Sequence, residues 1–130
     1  MAGAPTEIIT ESRWSWVTAP ADAPLPGYVC VVSKVHALEP FDLSPSQQTA
    51  FWHDVCVVAR AIRDAVASPK VNYEIHGNSI PHLHLHVFPR YPGDPFTGRP
   101  IDGSSTSFHR EPSELQRLGA AAGQALEHLA

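Results

Sequence analysis

The feature that most constrains this chain is the segment 81–88, in which histidine alternates with apolar residues. Side chains alternate between the two faces of a β-strand, so His82, His84 and His86 would share one face and the apolar residues between them the other. In a helix, residues two apart do not face each other, and the three rings would be scattered. The pattern therefore predicts a strand that packs its apolar face on a core and presents a row of imidazoles to a cleft.

A row of histidines on one strand face has more than one interpretation. The plainest is that these are ordinary surface or core residues. Neighbouring members could share a zinc ion, but the outer pair lies roughly 13 Å apart along the backbone, against Zn–N bonds of about 2 Å. A neutral imidazole is also a nucleophile near pH 7, so His84 could attack phosphorus and form a covalent phospho-imidazole. His82 and His86 on either side could then donate hydrogen bonds to the phosphoryl oxygens.

This segment and its flanks resemble the histidine-triad family, over about residues 7–102. The resemblance extends to the branch related to diadenosine-polyphosphate hydrolases. The segments that carry it are His82–Phe88, the Pro-Gly strand and Lys-x-His corner within 25–36, Asn72–Glu74, 77–81 and Pro89–Tyr91. The resemblance implies an α+β fold, with an antiparallel sheet of about five strands and two main helices.

The same resemblance implies a hydrolase or nucleotidyl transferase that acts on the α-phosphate of adenosine nucleotides, such as diadenosine polyphosphates or adenosine phosphoramidates. His84 would form a covalent nucleotidyl-histidine and AMP would be a product, with His82 and His86 as the other catalytic residues. Seven further positions are expected to contact nucleotide or phosphate, and these are Asn72, Asn78, Ser79, Tyr28, Arg90, Trp16 and Asp22.

Several of these positions have a second interpretation. Asn78 and Ser79 lie in a turn that would expose backbone N–H groups beside the imidazoles, or they are ordinary turn residues. Tyr28 stands where the family often has a histidine, and a phenol with a pKa near 10 is a poor acid at neutral pH. Arg90 could hold a distal phosphate or form a salt bridge.

Three more positions depend on how the chain packs. The resemblance implies that Trp16 walls the nucleotide base, whereas core packing is the plain alternative. Asp22 is the acid nearest to Pro20, which occupies the position of the family's ribose-binding aspartate. If the turn before the triad were symmetric, Asn72 would face His86, and a bulge in that turn would shift the register.

The weak acid at Tyr28 leaves a second function open, a module that binds nucleotides with negligible turnover, and a zinc protein is the third. The resemblance also implies a homodimer. No cofactor is expected to be required, although a divalent cation could accompany a polyphosphate substrate.

Length and charge exclude several classes of protein. The 130 residues are 43% hydrophobic and 17% charged, which suits one globular domain over 7–130 with a flexible tail at 1–6 and a long loop at 92–110. A net charge of −4 argues against a nucleic-acid partner. The sequence contains no run of 18 apolar residues, so no membrane span is predicted. Cys30 and Cys56 are expected to be buried free thiols in a cytoplasmic protein.

Local patterns also predict the regular elements. Ser44, Pro45 and Gln47 form a capping box with proline in the first turn, so a helix is predicted over 45–67. An apolar stripe predicts a second helix over 112–129. Alternating or β-branched segments predict strands, and these cover 7–11, 14–18, 28–33 and 71–76.

Overall fold

The structure, a computed structural model, describes residues 3–78, 80–106 and 108–127. Its strands are β1 (Ile8–Glu11), β2 (Ser15–Thr18), β3 (Asp22–Ala23), β4 (Val29–Ser33), β5 (Lys70–Glu74), β6 (His84–Arg90) and β7 (Phe108–His109). Its α-helices are α1 (Pro45–Val66) and α2 (Pro112–Glu127), and a short 3-10 helix covers Pro40–Asp42. The main sheet is antiparallel with the order β1-β2-β4-β6-β5, and β3 pairs with β7 separately. Two helices and a five-stranded sheet confirm the predicted α+β fold.

Helix α1 begins as its sequence predicts. The Ser44 hydroxyl accepts a hydrogen bond from the Gln47 amide, and the Gln47 side chain accepts one from the Ser44 amide. Pro45 occupies the first turn, where its missing N–H leaves no hydrogen bond unmade. The helix ends at Val66 because Ala67 adopts a left-handed conformation with φ of 54°.

The main core lies between one face of the sheet and the two helices. Val17, Val31 and Leu85 stand in register across β2, β4 and β6 and are fully buried. The helix side chains in the same core include Phe51, Val55, Val58, Ile62, Leu118 and Ala122. Burying one such side chain contributes about 1.5–3 kcal/mol, so this packing holds the register of the strands. Side chains alternate along β6, which places His84 and His86 on the opposite face of the sheet.

The hairpin that carries the histidines is wider than a symmetric turn. Strand β5 ends at Glu74, and β6 begins at His84 rather than at His82. Glu74 therefore faces His86, and Asn72 faces Phe88. The symmetric register, in which Asn72 would face His86, is wrong, because the chain leaves the sheet after Glu74 and returns through the long connection 75–83.

Residues 92–110 do not form one uninterrupted loop, because β7 lies within them and pairs with β3. The first part of this segment covers the histidine side of the sheet. Its side chains form a second apolar cluster with residues of the sheet and the proline-rich loop, and the members of this cluster are Leu25, Phe88, Phe96 and Ile101, with Tyr28 and Tyr91 against them.

Helix α2 approaches strand β1 very closely. A Cβ atom added to Gly119 would lie 2.7 Å from the carbonyl oxygen of Ile9, and one added to Gly123 would lie 2.7 Å from the hydroxyl of Thr10. Both glycines therefore have a packing role, since a side chain at either position would need a neighbour to move.

The two cysteines differ in environment. Cys30 is buried as predicted, but the expectation for Cys56 is wrong, because it lies on the exposed side of α1. Among the described residues, no helix combines the length and the apolar character that crossing a bilayer requires.

Candidate active site

The three histidines of the row line one cavity of about 410 Å³ on the sheet face opposite the main core. Tyr28, Cys30 and Val32 from the β4 side line it too, and the N-terminal segment 3–7 contributes Gly3, Pro5, Thr6 and Glu7. Part of the predicted tail thus lies against the histidines. The sequence prediction that all three imidazoles open on one cleft agrees with this geometry, although His82 precedes the strand.

Two main-chain carbonyl groups determine which ring nitrogens carry protons. Nε2 of His82 lies 2.6 Å from the carbonyl oxygen of Ser33, and Nδ1 of His84 lies 2.7 Å from the carbonyl oxygen of His82. A carbonyl oxygen can only accept, so each of these nitrogens donates an N–H. In the neutral ring of His84, Nε2 then holds a free lone pair, which is the requirement for a nucleophile.

Tyr28 determines the proton position on His86. The phenol oxygen lies 2.6 Å from Nδ1 of His86. Burial, together with the neighbouring His84 and His76, lowers the pKa of His86 to about 4. Burial also raises the pKa of Tyr28 far above its ordinary value. Both groups are neutral near pH 7. When the phenol donates to Nδ1, the ring proton of His86 lies on Nε2, which is then a hydrogen-bond donor.

Tyr28 is in turn held from behind by Arg110, which sequence reasoning missed. The Arg110 side chain is buried, and its guanidinium donates to the carbonyl oxygens of Tyr28 and Pro20. It also lies 5.9 Å from the centre of the Tyr28 ring. Burial lowers the pKa of this guanidinium. Arg110 therefore positions Tyr28, which in turn contacts His86. No local sequence pattern indicates the contact between Arg110 and Tyr28.

A second cavity, of about 400 Å³, adjoins the histidine row. His84, His86 and Ile80 line both cavities, while Asn78 and Ser104 line only the second. His84 and His86 therefore border both cavities. Such an arrangement can hold the two halves of a molecule on either side of a central phosphorus.

His76 is the second residue that sequence reasoning did not assign to the site. Its Nε2 lies 2.8 Å from Oε1 of Glu74, and its ring centre lies 5.7 Å from that of His86. Glu74 faces His86 across β5 and β6, so all three side chains meet at one end of the row. The Glu-x-His spacing just before the Gly-Asn turn is the sequence signal that could have drawn attention to this pair.

Arg90 and Asn72, two of the residues predicted to contact nucleotide or phosphate, lie outside the two histidine cavities and bond to each other. Nη1 of Arg90 donates to Oδ1 of Asn72 at 2.9 Å. The rest of the guanidinium bonds to both carboxylate oxygens of Asp94 and to the carbonyl oxygens of Phe96 and Arg99. This pairing, with two main-chain amide donors, holds the pKa of Asp94 well below its ordinary range. Neither Arg90 nor Asn72 lines the two histidine cavities, so their contact with nucleotide stays a prediction.

The other predicted contacts are also dispersed. Trp16 is buried, with Nζ of Lys34 5.6 Å from its ring centre, and it lines neither cavity. Asp22 pairs with His109 at 2.7 Å on the exposed small sheet. Asn78 does line the second cavity beside His84. Ser79 lies outside the described residues.

The contacts of the three histidines bear on the alternative of a shared metal ion. Within 3–78, 80–106 and 108–127, no group of three or more His, Cys, Asp and Glu side chains is arranged to hold a metal ion. One ring nitrogen of each triad histidine is already bonded inside the protein, to a carbonyl group or to Tyr28. The arrangement that remains is a nucleophilic lone pair next to an N–H donor, which suits attack on an anionic electrophile.

Known proteins share this sequence and fold. The curated relative "Protein hit" of Bacillus subtilis is 28% identical over 109 residues, which is 77% of this chain and 71% of the relative. A histidine triad protein from Bradyrhizobium japonicum has a TM-score of 0.80 at 28% identity, covering 92% of this chain and 89% of that one. One from Marinobacter aquaeolei has a TM-score of 0.79 at 27% identity, covering 95% and 90%.

The family comparison covers the part of the chain that contains the site. The HIT domain sequence model matches residues 2–93, which include strands β1 to β6 and all three histidines of the row. A match of that extent, on a sheet and histidine row of this geometry, shows that the chain belongs to the HIT domain family.

Proposed function

We propose that this protein cleaves nucleotides at the α-phosphorus, by transferring the nucleotidyl group to His84 and then to water or another acceptor. The substrates would be adenosine compounds whose phosphate is linked to a second phosphate, an amine or an acyl group. Family membership supports a nucleotide ligand. A solved structure with the same fold, from Sulfolobus tokodaii, is described as a histidine triad nucleotide-binding protein.

One observation carries the proposal. The hydrogen bond from Nδ1 of His84 to the carbonyl oxygen of His82 leaves Nε2 of His84 as the free nitrogen of a neutral imidazole. The same carbonyl oxygen would stabilise the positive charge that the ring acquires once Nε2 has bonded to phosphorus. His86, whose ring centre is 5.0 Å away, can direct its Nε2–H to a phosphoryl oxygen.

The reaction would proceed in two displacements. In the first, Nε2 of His84 forms a bond to the α-phosphorus, and the leaving group departs with the electron pair of its bond and takes up a proton. In the second, water attacks the same phosphorus and loses a proton, while the P–N electron pair returns to Nε2. AMP leaves and His84 is restored, so splitting the reaction replaces one difficult step by two easier ones.

The lining of the two cavities supports a placement for the halves of the substrate. The larger apolar contribution of Pro5, Cys30 and Val32 suits a nucleoside in the cavity shared with His82. His76, Asn78 and Ser104 make the second cavity more polar, which suits the leaving group. We propose that the α-phosphate bridges the two beside His84.

Trapping the covalent intermediate tests the proposal. The protein is mixed with an adenosine phosphoramidate, quenched in alkaline denaturant and weighed intact. We expect a nucleotidyl adduct in the wild type and in His53→Ala, whose exposed histidine lies on α1, and none in His84→Ala. Full turnover by His84→Ala would contradict the assignment of the nucleophile.

A binding module with negligible turnover is the second candidate, and the state of Tyr28 favours it. A phenol whose pKa is raised by burial does not release its proton to a leaving group near neutral pH. Wild-type protein that binds the phosphoramidate in equilibrium dialysis but yields neither adduct nor AMP would identify such a module.

We further propose that the protein acts as a cytoplasmic homodimer without a required cofactor, and that a divalent cation accompanies only polyphosphate substrates. Chelation should then leave turnover of a phosphoramidate unchanged.

The homodimer has its own test. Sedimentation velocity should give a species of twice the 14.1 kDa chain mass, and a concentration-independent monomer would contradict the dimer.

A further inference from the structure

We infer that His76, held by Glu74, is the acid–base catalyst of this reaction, giving a proton to the leaving group and later taking one from the attacking water. This inference rests on the proposed function, because it assigns a role within the reaction that begins at His84. It also supplies the proton transfer that Tyr28 does not provide.

The position of His76 carries the inference. It lines the second cavity together with His84 and His86, on the side proposed for the leaving group. About 56% of its side chain is exposed, so it can exchange protons with solvent between turnovers. A carboxylate at 2.8 Å orients the ring, and the base–orienter hydrogen bond is a recurring feature of catalytic imidazoles.

The hydrogen bond to Glu74 determines which nitrogen would act. A carboxylate accepts, so Nε2 of His76 carries the proton directed at Glu74, and Nδ1 is the nitrogen left for the substrate. The form of the ring that donates from Nδ1 is the doubly protonated one. Removing the carboxylate would therefore leave the His76 ring without the hydrogen bond that orients it.

The other side chains around the phosphorus are less suited to carry this proton. Tyr28 and His86 hydrogen-bond each other and are both neutral near pH 7. Nε2 of His82 donates to a main-chain carbonyl group. Of the described side chains that line the second cavity, His76 is the imidazole paired with a carboxylate.

The proton balance closes over one cycle. In the first displacement, doubly protonated His76 gives its Nδ1 proton to the atom that leaves phosphorus, and this atom keeps the electron pair of the broken bond. His76 is then neutral. In the second displacement, water attacks the phosphorus of nucleotidyl-His84, the P–N electron pair returns to Nε2 of His84, and Nδ1 of His76 takes a proton from the water. The starting protonation state therefore returns with the release of AMP.

Two substrates with the same adenosine phosphate group test this role. An alkylamine phosphoramidate has a leaving group that needs a proton, whereas the p-nitrophenyl ester of AMP releases a stable anion that does not. We expect His76→Gln to lose on the order of 10²-fold or more in single turnover of the amine substrate. The p-nitrophenol burst, which reports the first displacement alone, should keep its wild-type rate.

Matched variants exclude a purely structural effect. His53→Gln makes the same substitution on the exposed side of α1 and should resemble wild type with both substrates. Added imidazole should restore amine turnover to His76→Ala, since the site is open to solvent. Glu74→Gln changes a positioning residue. It should also lose turnover of the amine substrate and keep the p-nitrophenol burst, with a smaller loss than His76→Gln.

The outcomes separate this inference from the proposed function. An equal loss with both substrates, or no loss with the amine substrate, would overturn the role of His76 while leaving the nucleophile His84 intact. If wild-type protein shows neither a p-nitrophenol burst nor a nucleotidyl adduct, the proposed function itself fails.

Discussion

The phenol of Tyr28 and the imidazole of His86 are stacked with their planes 21° apart, and the phenol oxygen lies 2.6 Å from Nδ1. Phe88 lies beside both rings, with its ring centre 4.7 Å from that of Tyr28 and 5.7 Å from that of His86. Arg110 fixes the other side of Tyr28 through its carbonyl oxygen. The position of Tyr28 beside His86 is therefore fixed by contacts that lie outside the histidine row.

Removing the phenol hydroxyl should weaken catalysis without removing any residue of the triad. In Tyr28→Phe, Nδ1 of His86 loses its donor, and the ring is free to place its proton on either nitrogen. Since one hydrogen bond is worth about 0.5–1.5 kcal/mol, we expect turnover to fall by a factor of roughly 2 to 13. Nitrogen NMR of His86 should show a mixture of tautomers in place of Nε2–H alone.

Tyr91→Phe is the matched control for this change. Its hydroxyl donates to the carbonyl oxygen of Pro26, away from the histidines. This variant should keep the wild-type rate and the wild-type nitrogen spectrum of His86. An unchanged tautomer in Tyr28→Phe would show that Tyr28 does not control the ring.

His86 should make the protein less stable in mild acid. Its pKa is lowered to about 4 in the folded state, mainly by burial, against about 6.5 in an unfolded chain. Between these values the unfolded chain binds more protons here, so the free energy of unfolding falls as the pH is lowered from about 6.5 towards 4. Above about pH 6.5 the imidazole is neutral in both states, and this contribution disappears.

Urea unfolding of wild type and His86→Asn at several pH values measures this effect. The difference between the two free energies of unfolding should be constant above about pH 7 and should shift in favour of the variant as the pH falls towards 4. Parallel curves over the whole range would mean that His86 titrates alike in the folded and unfolded states.

The close approach of α2 to β1 predicts an unequal response of its two glycines. Gly119→Ala would place a methyl group 2.7 Å from the main-chain oxygen of Ile9, which cannot move without shifting the strand. We expect a loss of about 1–3 kcal/mol in the free energy of unfolding. Gly123→Ala meets only the Thr10 hydroxyl, which can rotate away, so its loss should be smaller.

Thermal unfolding of both variants, with the urea midpoint as a second measurement, provides the comparison. Each substitution gains about the same helix propensity, so the difference between the variants isolates the contact. Gly119→Ala with wild-type stability, or a larger loss in Gly123→Ala, would contradict this description of the interface.

Asp94 should stabilise the segment that covers the histidine side of the sheet. Its carboxylate bonds to Arg90 and to the amides of Tyr91 and Phe96. Because its pKa is held well below the ordinary range, the stabilisation is complete above about pH 4 and is lost as the pH falls through the folded-state pKa. We expect Asp94→Asn to lower the melting temperature at pH 7.

Amide hydrogen exchange locates the effect of that substitution. The amides of Tyr91 and Phe96 should exchange faster in Asp94→Asn, while those of α1 should change less. The stability gap between the variant and wild type should narrow in strong acid. A gap that does not depend on pH would exclude the carboxylate as its cause.

Local patterns predicted much of this fold. The start of α1 depends only on Ser44, Pro45 and Gln47, because capping is a contact among neighbours in sequence. The alternation of histidine and apolar residues likewise predicted one face for the row. The register between β5 and β6 could not be predicted in the same way, since it depends on how the connection 75–83 folds.

The site was predicted less completely, for the same physical reason. His84 is recognisable because the pattern around it is local, but the tautomer of His86 depends on Tyr28, 58 positions away. Arg90 showed equal promise as a phosphate ligand and as a salt-bridge partner. The fold is needed to show that the guanidinium of Arg90 bonds to Asp94 and Asn72.

The most direct test of the covalent mechanism is the stereochemistry at phosphorus. A substrate with a chiral α-phosphorothioate is hydrolysed in isotopically labelled water, and the configuration of the product is determined. Each in-line displacement inverts phosphorus, so attack by His84 followed by attack of water predicts overall retention. Inversion would show that water attacks the substrate directly and would contradict the nucleotidyl-His84 intermediate.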